Sequence, residues 1–179
     1  ESAKKIGLAL PYNPDWGLAP HLRFASQKMG FERHPFTSQF VIDAQYFSLT
    51  QAAIFKTEYH SANLFPEWNL KIAALATTNN YTENFFGFGN ETTNTASNFD
   101  TNRVFLQKFE AEAGVYYIGE YGSSFETSIA YQNFNIEETL SSKLLNNLNN
   151  NNNITLNAIY SYKSVDNSNF PTRGMHFKA

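Results

Sequence analysis

The chain has 179 residues, enough for one ordinary domain with a sizeable core. Charged residues make up 16% and aromatic residues another 16%, with 17 Phe and 10 Tyr, which excludes a charge-driven disordered segment. A net charge of −3 leaves no general nucleic-acid footprint, and zero cysteines exclude disulfide scaffolds, cysteine zinc sites and thiol catalysis.

In chain order, period two dominates and helical stripes are absent. A short first strand is expected around residues 6–10. Next, Leu18, Leu22 and Phe24 alternate with His21, Arg23 and Gln27. Phe40, Ile42, Ala44 and Tyr46 oppose Gln39, Asp43 and Gln45, and Phe55 and Tyr59 alternate with Lys56, Glu58 and His60. Trp68, Leu70, Ile72 and Ala74 alternate with Asn69 and Lys71. Phe105, Phe109, Ala111, Ala113, Val115 and Tyr117 face away from Lys108, Glu110 and Glu112. Phe125, Ile129 and Tyr131 oppose Glu126 and Ser128, and Ile154, Leu156, Ala158, Tyr160 and Tyr162 oppose Asn157, Ser161 and Lys163. A last strand starts at Met175, which gives about nine.

Segments of about ten residues suit tilted strands that cross a bilayer. Their polar average fits too, because such strands alternate lipid-facing and lumen-facing residues. The two longest connections, 79–101 and 137–152, are Asn/Thr-rich and both follow odd-numbered strands, while the turns after even-numbered strands are mostly shorter. Long loops on one side and short turns on the other is the asymmetry of outer-membrane barrels. The expected fold is therefore all-β: an antiparallel meander forming about half of a transmembrane β-barrel, an open curved sheet. A soluble lipocalin-like barrel or β-sandwich alternates in the same way with its apolar face inward.

Two stretches carry a family resemblance. One is Asn84-Phe85-Phe86-Gly87-Phe88-Gly89-Asn90-Glu91-Thr92; the other runs from Tyr162 through Asp166 to Asn169-Phe170-Pro171-Thr172-Arg173-Gly174. Both resemble the bacterial surface-antigen outer-membrane barrels of the BamA/TamA type, in a Bacteroidetes-like variant. The resemblance singles out Phe85, Phe86, Gly87, Gly89, Asn90, Asp166, Pro171, Thr172 and Gly174. It implies a periplasmic turn at 166–174 between the eighth and ninth of about sixteen strands. Residues 1–179 are then the N-terminal half of a barrel domain, with no POTRA or enzymatic domain in this chain. The implied work is insertion or translocation of other polypeptides, or anchoring and export of a fused enzyme. The implied place is the bacterial outer membrane. The implied partners are its lipids, the remaining barrel strands, and client or passenger chains. The family's Arg-Gly lumen tip on a later loop does not occur here: the one Arg-Gly is Arg173-Gly174, inside the turn motif.

Enzyme chemistry is not expected, and neither is a cofactor. His21, His34, His60 and His176 lack metal-site spacing, and Gly87-Phe88-Gly89 has neither the third glycine nor the following helix of a dinucleotide loop. Ser123 and Ser124 lack a nucleophile-elbow context, and the charges at Lys56, Glu58 and His60 read as a solvated network. Lys56, Glu58, Lys71, Lys108, Glu110, Glu112, Glu126 and Lys163 are expected to face the lumen. Phe55, Tyr59, Trp68, Ile72, Phe109, Val115, Tyr117, Ile129, Leu156 and Tyr160 are expected to face lipid, with Glu58 and Lys71 nearly opposite each other. An outer-membrane channel whose lumen charges set solute selectivity, and a soluble barrel holding an apolar ligand, are the alternatives.

Overall fold

A computed structural model describes residues 2–30, 33–65, 67–84, 103–119, 122–139, 151–165 and 173–178. The strands are β1 (Ser2–Ala9), β2 (Tyr12–Asn13), β3 (Gly17–Leu18), β4 (His21–Gly30), β5 (Arg33–Phe47) and β6 (Ala52–Phe65), then β7 (Trp68–Thr77), β8 (Thr82–Asn84), β9 (Arg103–Ile118), β10 (Ser123–Thr139), β11 (Asn151–Val165) and β12 (Gly174–Lys178). One sheet takes the order β1-β4-β5-β6-β7-β9-β10-β11-β12, every pair antiparallel and every neighbour next along the chain apart from the short β2, β3 and β8. The molecule is an all-β open meander. Eight strands of this path precede residues 166–172 and one follows.

The long strands reach 14–17 residues in β5, β6, β9, β10 and β11, longer than their alternation suggests. At the outer end of β11 the residues are polar on both faces (Asn151, Asn152 and Asn153), and at that of β10 the outward face is polar (Asn133 and Asn135). Backbone pairing continues there, Asn133 opposite Asn152, after the side-chain contrast has vanished. The second strand also begins later than expected, because residues 17–18 form β3, paired with β2 in a separate hairpin.

A strand sends alternate side chains to opposite faces, so the register sorts them without ambiguity. Leu8, Leu22, Ala44, Phe55, Ala76 and Phe109 form one cross-strand row that runs on into Asn133 and Asn152. Ile72 shares a second row with Phe40, Tyr59, Ala113, Ile129 and Leu156. A third row holds Trp68, Tyr117, Phe125 and Tyr160, with Trp68 ring-to-ring against Tyr117 at 5.8 Å and Phe125 at 6.2 Å. The apolar band thus drifts toward the short-turn end as the chain proceeds, which is what strands tilted against a flat apolar layer produce.

Very little of this face is covered. Among the described residues the buried hydrophobics are Ala19, Val41, Phe47, Ala52, Val104 and Leu106, none of them on the apolar band. Ile129 is 54% exposed, Phe55 53% and Leu156 78%.

Candidate functional site

The opposite face carries the charges. The register puts Lys56, Glu58, Lys71, Lys108, Glu110, Glu112, Glu126 and Lys163 together there, and the ten residues expected to face lipid on the other side. Lys71 Nζ lies 3.4 Å from Glu112 Oε2 and 3.4 Å from Glu126 Oε1, bridging two strands. Lys108 Nζ sits 3.0 Å from Glu110 Oε1, which also accepts from Gln132 Nε2 at 3.1 Å. On the first strands Asp43 takes His21 Nε2 at 2.9 Å and Arg23 Nη1 at 3.5 Å. In the middle of the sheet these side chains are about a quarter to a third exposed, Lys108 at 23% and Glu126 at 37%, whereas Arg23 near the β1 edge is half exposed. Each such hydrated pair is worth under about 1 kcal/mol, so the network sets register and lining polarity more than stability.

Lys71 reaches across β9 because the residue directly opposite it is Gly114. A Cβ there would stand 2.6 Å from Ser128 Cβ and 2.7 Å from Thr127 O, so β9 and β10 approach closely at the point where the lysine stem crosses.

One expected pairing is corrected. Glu58 faces Ala73 and Lys71 faces His60, because the β6–β7 turn lies beyond Phe65, which itself pairs Trp68. Lys56 and Glu58 have no ion pair among the described residues. Both line a groove of about 230 Å³ with Glu110 and Glu112 across Ala73 and Leu75.

At the long-loop end the charged face turns apolar. Residues 10–20 fold against the β5–β6 turn, with Ser48 N donating to Leu18 O and Leu49 N to Trp16 O. Trp16 packs on Phe47 at 5.1 Å between ring centroids, and Tyr81 meets Phe47 from the other side at 6.1 Å. Ala19 and Ala52 are buried beneath them, and Tyr81 extends the layer to Val104, Leu106, Phe134 and Ile136. Tyr81 gets there because the chain leaves the β9 ladder between β7 and β8; Thr77 Oγ1 and Tyr81 O accept from Lys108 N and Leu106 N in its place. Burial, with the Glu83 carboxylate second, holds the Tyr81 phenol above its ordinary 10, which keeps it neutral. Arg103 Nη2 donates to Asp15 O at 2.9 Å and ties the folded segment to β9.

Sequence reading missed this layer, although a signal was present. Alternation fails at the same end of three strands, in Tyr46-Phe47, Ala52-Ala53-Ile54-Phe55 and Val104-Phe105-Leu106. Consecutive apolar residues there mark strand ends whose second face, too, is apolar and is covered by the folded segment and Tyr81.

Of the family-motif residues, Gly174 opens β12 opposite Val165 at φ 121°, a conformation that favours glycine. Phe85, Phe86, Gly87, Gly89, Asn90, Asp166, Pro171 and Thr172 lie outside the described residues. Among the described residues no group of His, Asp and Glu could hold a metal ion, and no helix is long and apolar enough to cross a membrane. Comparison with family models, curated proteins and solved structures finds no match for this chain.

Proposed function

We propose that this chain is about half of a bacterial outer-membrane β-barrel of the surface-antigen (BamA/TamA-like) type. Its role would be to insert or translocate other polypeptides, or to anchor and export a fused enzyme. The observation that carries the membrane part is the uncovered apolar band. A ten-stranded sheet with six buried hydrophobic residues among those described, and large residues such as Ile6 (72%) and Leu8 (82%) in the open, lacks a core for an aqueous fold in its described part. A lipid surround supplies the missing apolar contact. The band's drift, about three two-residue rows across eight strand steps, corresponds to a tilt of roughly 30°, near the range of such barrels. The sheltered charges support a concave polar face: bending a sheet crowds side chains on its inside and splays those outside.

The assembly part rests on the two sequence motifs and on the position of 166–172 after the eighth long strand. The channel alternative is disfavoured by the apolar layer of Trp16, Phe47, Tyr81 and Leu106 at one end of the polar face. Depleting the protein from the producing bacterium tests the assembly role. A broad loss of barrel proteins from the outer membrane is expected for assembly, and loss of one surface enzyme for an anchor. An unchanged outer-membrane proteome contradicts both.

The two tryptophans separate the faces. In vesicles with brominated acyl chains, the Trp16→Phe variant, which retains Trp68, is expected to be strongly quenched. The Trp68→Phe variant, which retains the packed Trp16, is expected to stay bright. Equal quenching would contradict the placement of the two faces.

A further inference from the structure

The outward face is almost free of charge, and the exceptions are adjacent. Apart from Arg103 at the far long-loop end of β9, held by Asp15, the charged residues on that face among the described side chains of the long strands are Lys4 and Lys28. In the β1–β4 ladder Lys4 pairs Ser26 and Lys28 pairs Ser2, which makes the two lysines diagonal neighbours at roughly 7–8 Å. Ser38 of β5 stands opposite Lys28. Both lysines are exposed, no carboxylate among the described side chains of the strands shares their face, and neither lysine has an ion pair or hydrogen bond among the described residues.

Their height matters as much as their charge. Along β1 and β4 the apolar residues Ile6, Leu8, Leu22 and Phe24 lie toward the long-loop end, and the lysines and serines follow immediately toward the short turns. On β5 the same boundary falls between Phe40 and Ser38. A charge at that boundary escapes the midplane cost and can extend to the headgroup layer, its stem lying on apolar surface.

We infer that Lys4 and Lys28, with the hydroxyls of Ser2, Ser26 and Ser38, form a binding site for the phosphate of an anionic phospholipid in the leaflet at the short-turn end. Two ammonium groups flank the phosphate, three hydroxyls offer hydrogen bonds, and the acyl chains lie along Ile6, Phe24 and Phe40. This site rests on the membrane reading above and deepens it by naming the lipid class.

The test uses the protein reconstituted in phosphatidylcholine vesicles carrying a trace of spin-labelled lipid. The fraction of label immobilised at the protein surface is read for phosphatidylglycerol and for phosphatidylcholine. Phosphatidylglycerol is expected to be favoured roughly fivefold, and the preference is expected to fall at high salt. Lys4→Gln with Lys28→Gln is expected to bring the ratio to unity, and the double Arg variant to keep it. Lys5→Gln, on the charged face opposite Ala25, is expected to leave it unchanged. A ratio of one in the unaltered protein, or no change in the double Gln variant, overturns the site while leaving the membrane reading intact. No immobilised component from either lipid overturns the two together.

Discussion

Leu156→Arg is expected to abolish most insertion into outer-membrane-like vesicles, while Asn157→Arg inserts almost as well as the unaltered chain. The two positions are adjacent on β11 and differ only in the face they take. Leu156 is 78% exposed and lies opposite Ile129 in the apolar band, whereas Asn157 lies opposite Ser128 on the charged side. An arginine on the lipid face near the midplane costs about 2–4 kcal/mol, and one on the lumen face costs little. Asn157 Nδ2 donates only a long bond, 3.5 Å, to Ser128 Oγ, so its loss is minor. The readout is the protease-resistant, membrane-integrated fraction after refolding. Equal effects would mean that the faces, and with them the solvent, are assigned the wrong way round.

The second large effect belongs to Gly114. Any side chain there collides with Ser128 and with the backbone carbonyl of Thr127, so Gly114→Val has to push β9 from β10 in the middle of the sheet. The expected loss is about 3 kcal/mol or more of unfolding free energy, read as a shift of the urea midpoint in detergent micelles. Gly7 is the control. It lies on the same face, but a Cβ there would meet Arg23 at 3.8 Å, an ordinary contact. Gly7→Ala is therefore expected to change stability by less than about 0.5 kcal/mol. A tolerated Gly114→Val would show that the two strands do not approach as described and that Lys71 has another route to Glu126.

Most of the sheet was legible because one face is apolar and the other charged, which makes period two easy to see in stretches such as Phe109 to Tyr117. Neighbour pairing and antiparallel order followed from connections too short or too polar to hide a crossover helix. Three features were not legible, each for a physical reason. Strand ends disappeared where Asn occupies both faces, since hydrogen-bonded pairing needs no hydrophobic contrast. The Glu58–Lys71 register failed because the turn lies beyond Phe65, and residue alternation does not mark where a turn is centred. The apolar layer around Trp16 was hidden because its partners, Phe47, Tyr81 and Leu106, come from segments far apart in sequence. The charged site fared similarly: its face could be read, whereas the choice of Glu112 and Glu126 as partners for Lys71 depends on the space above Gly114.

The most direct measurement is an accessibility scan of β9 in lipid vesicles, made simple by the absence of native cysteine. Single cysteines at 108–113 and 115 carry nitroxide labels, and their relaxation by oxygen and by a water-soluble nickel complex is compared. Oxygen is expected to dominate at Phe109, Ala111, Ala113 and Val115, and the nickel complex at Lys108, Glu110 and Glu112, with a strict period of two. Nickel accessibility on both faces, or no alternation, would contradict a lipid-facing apolar band and a water-lined charged face.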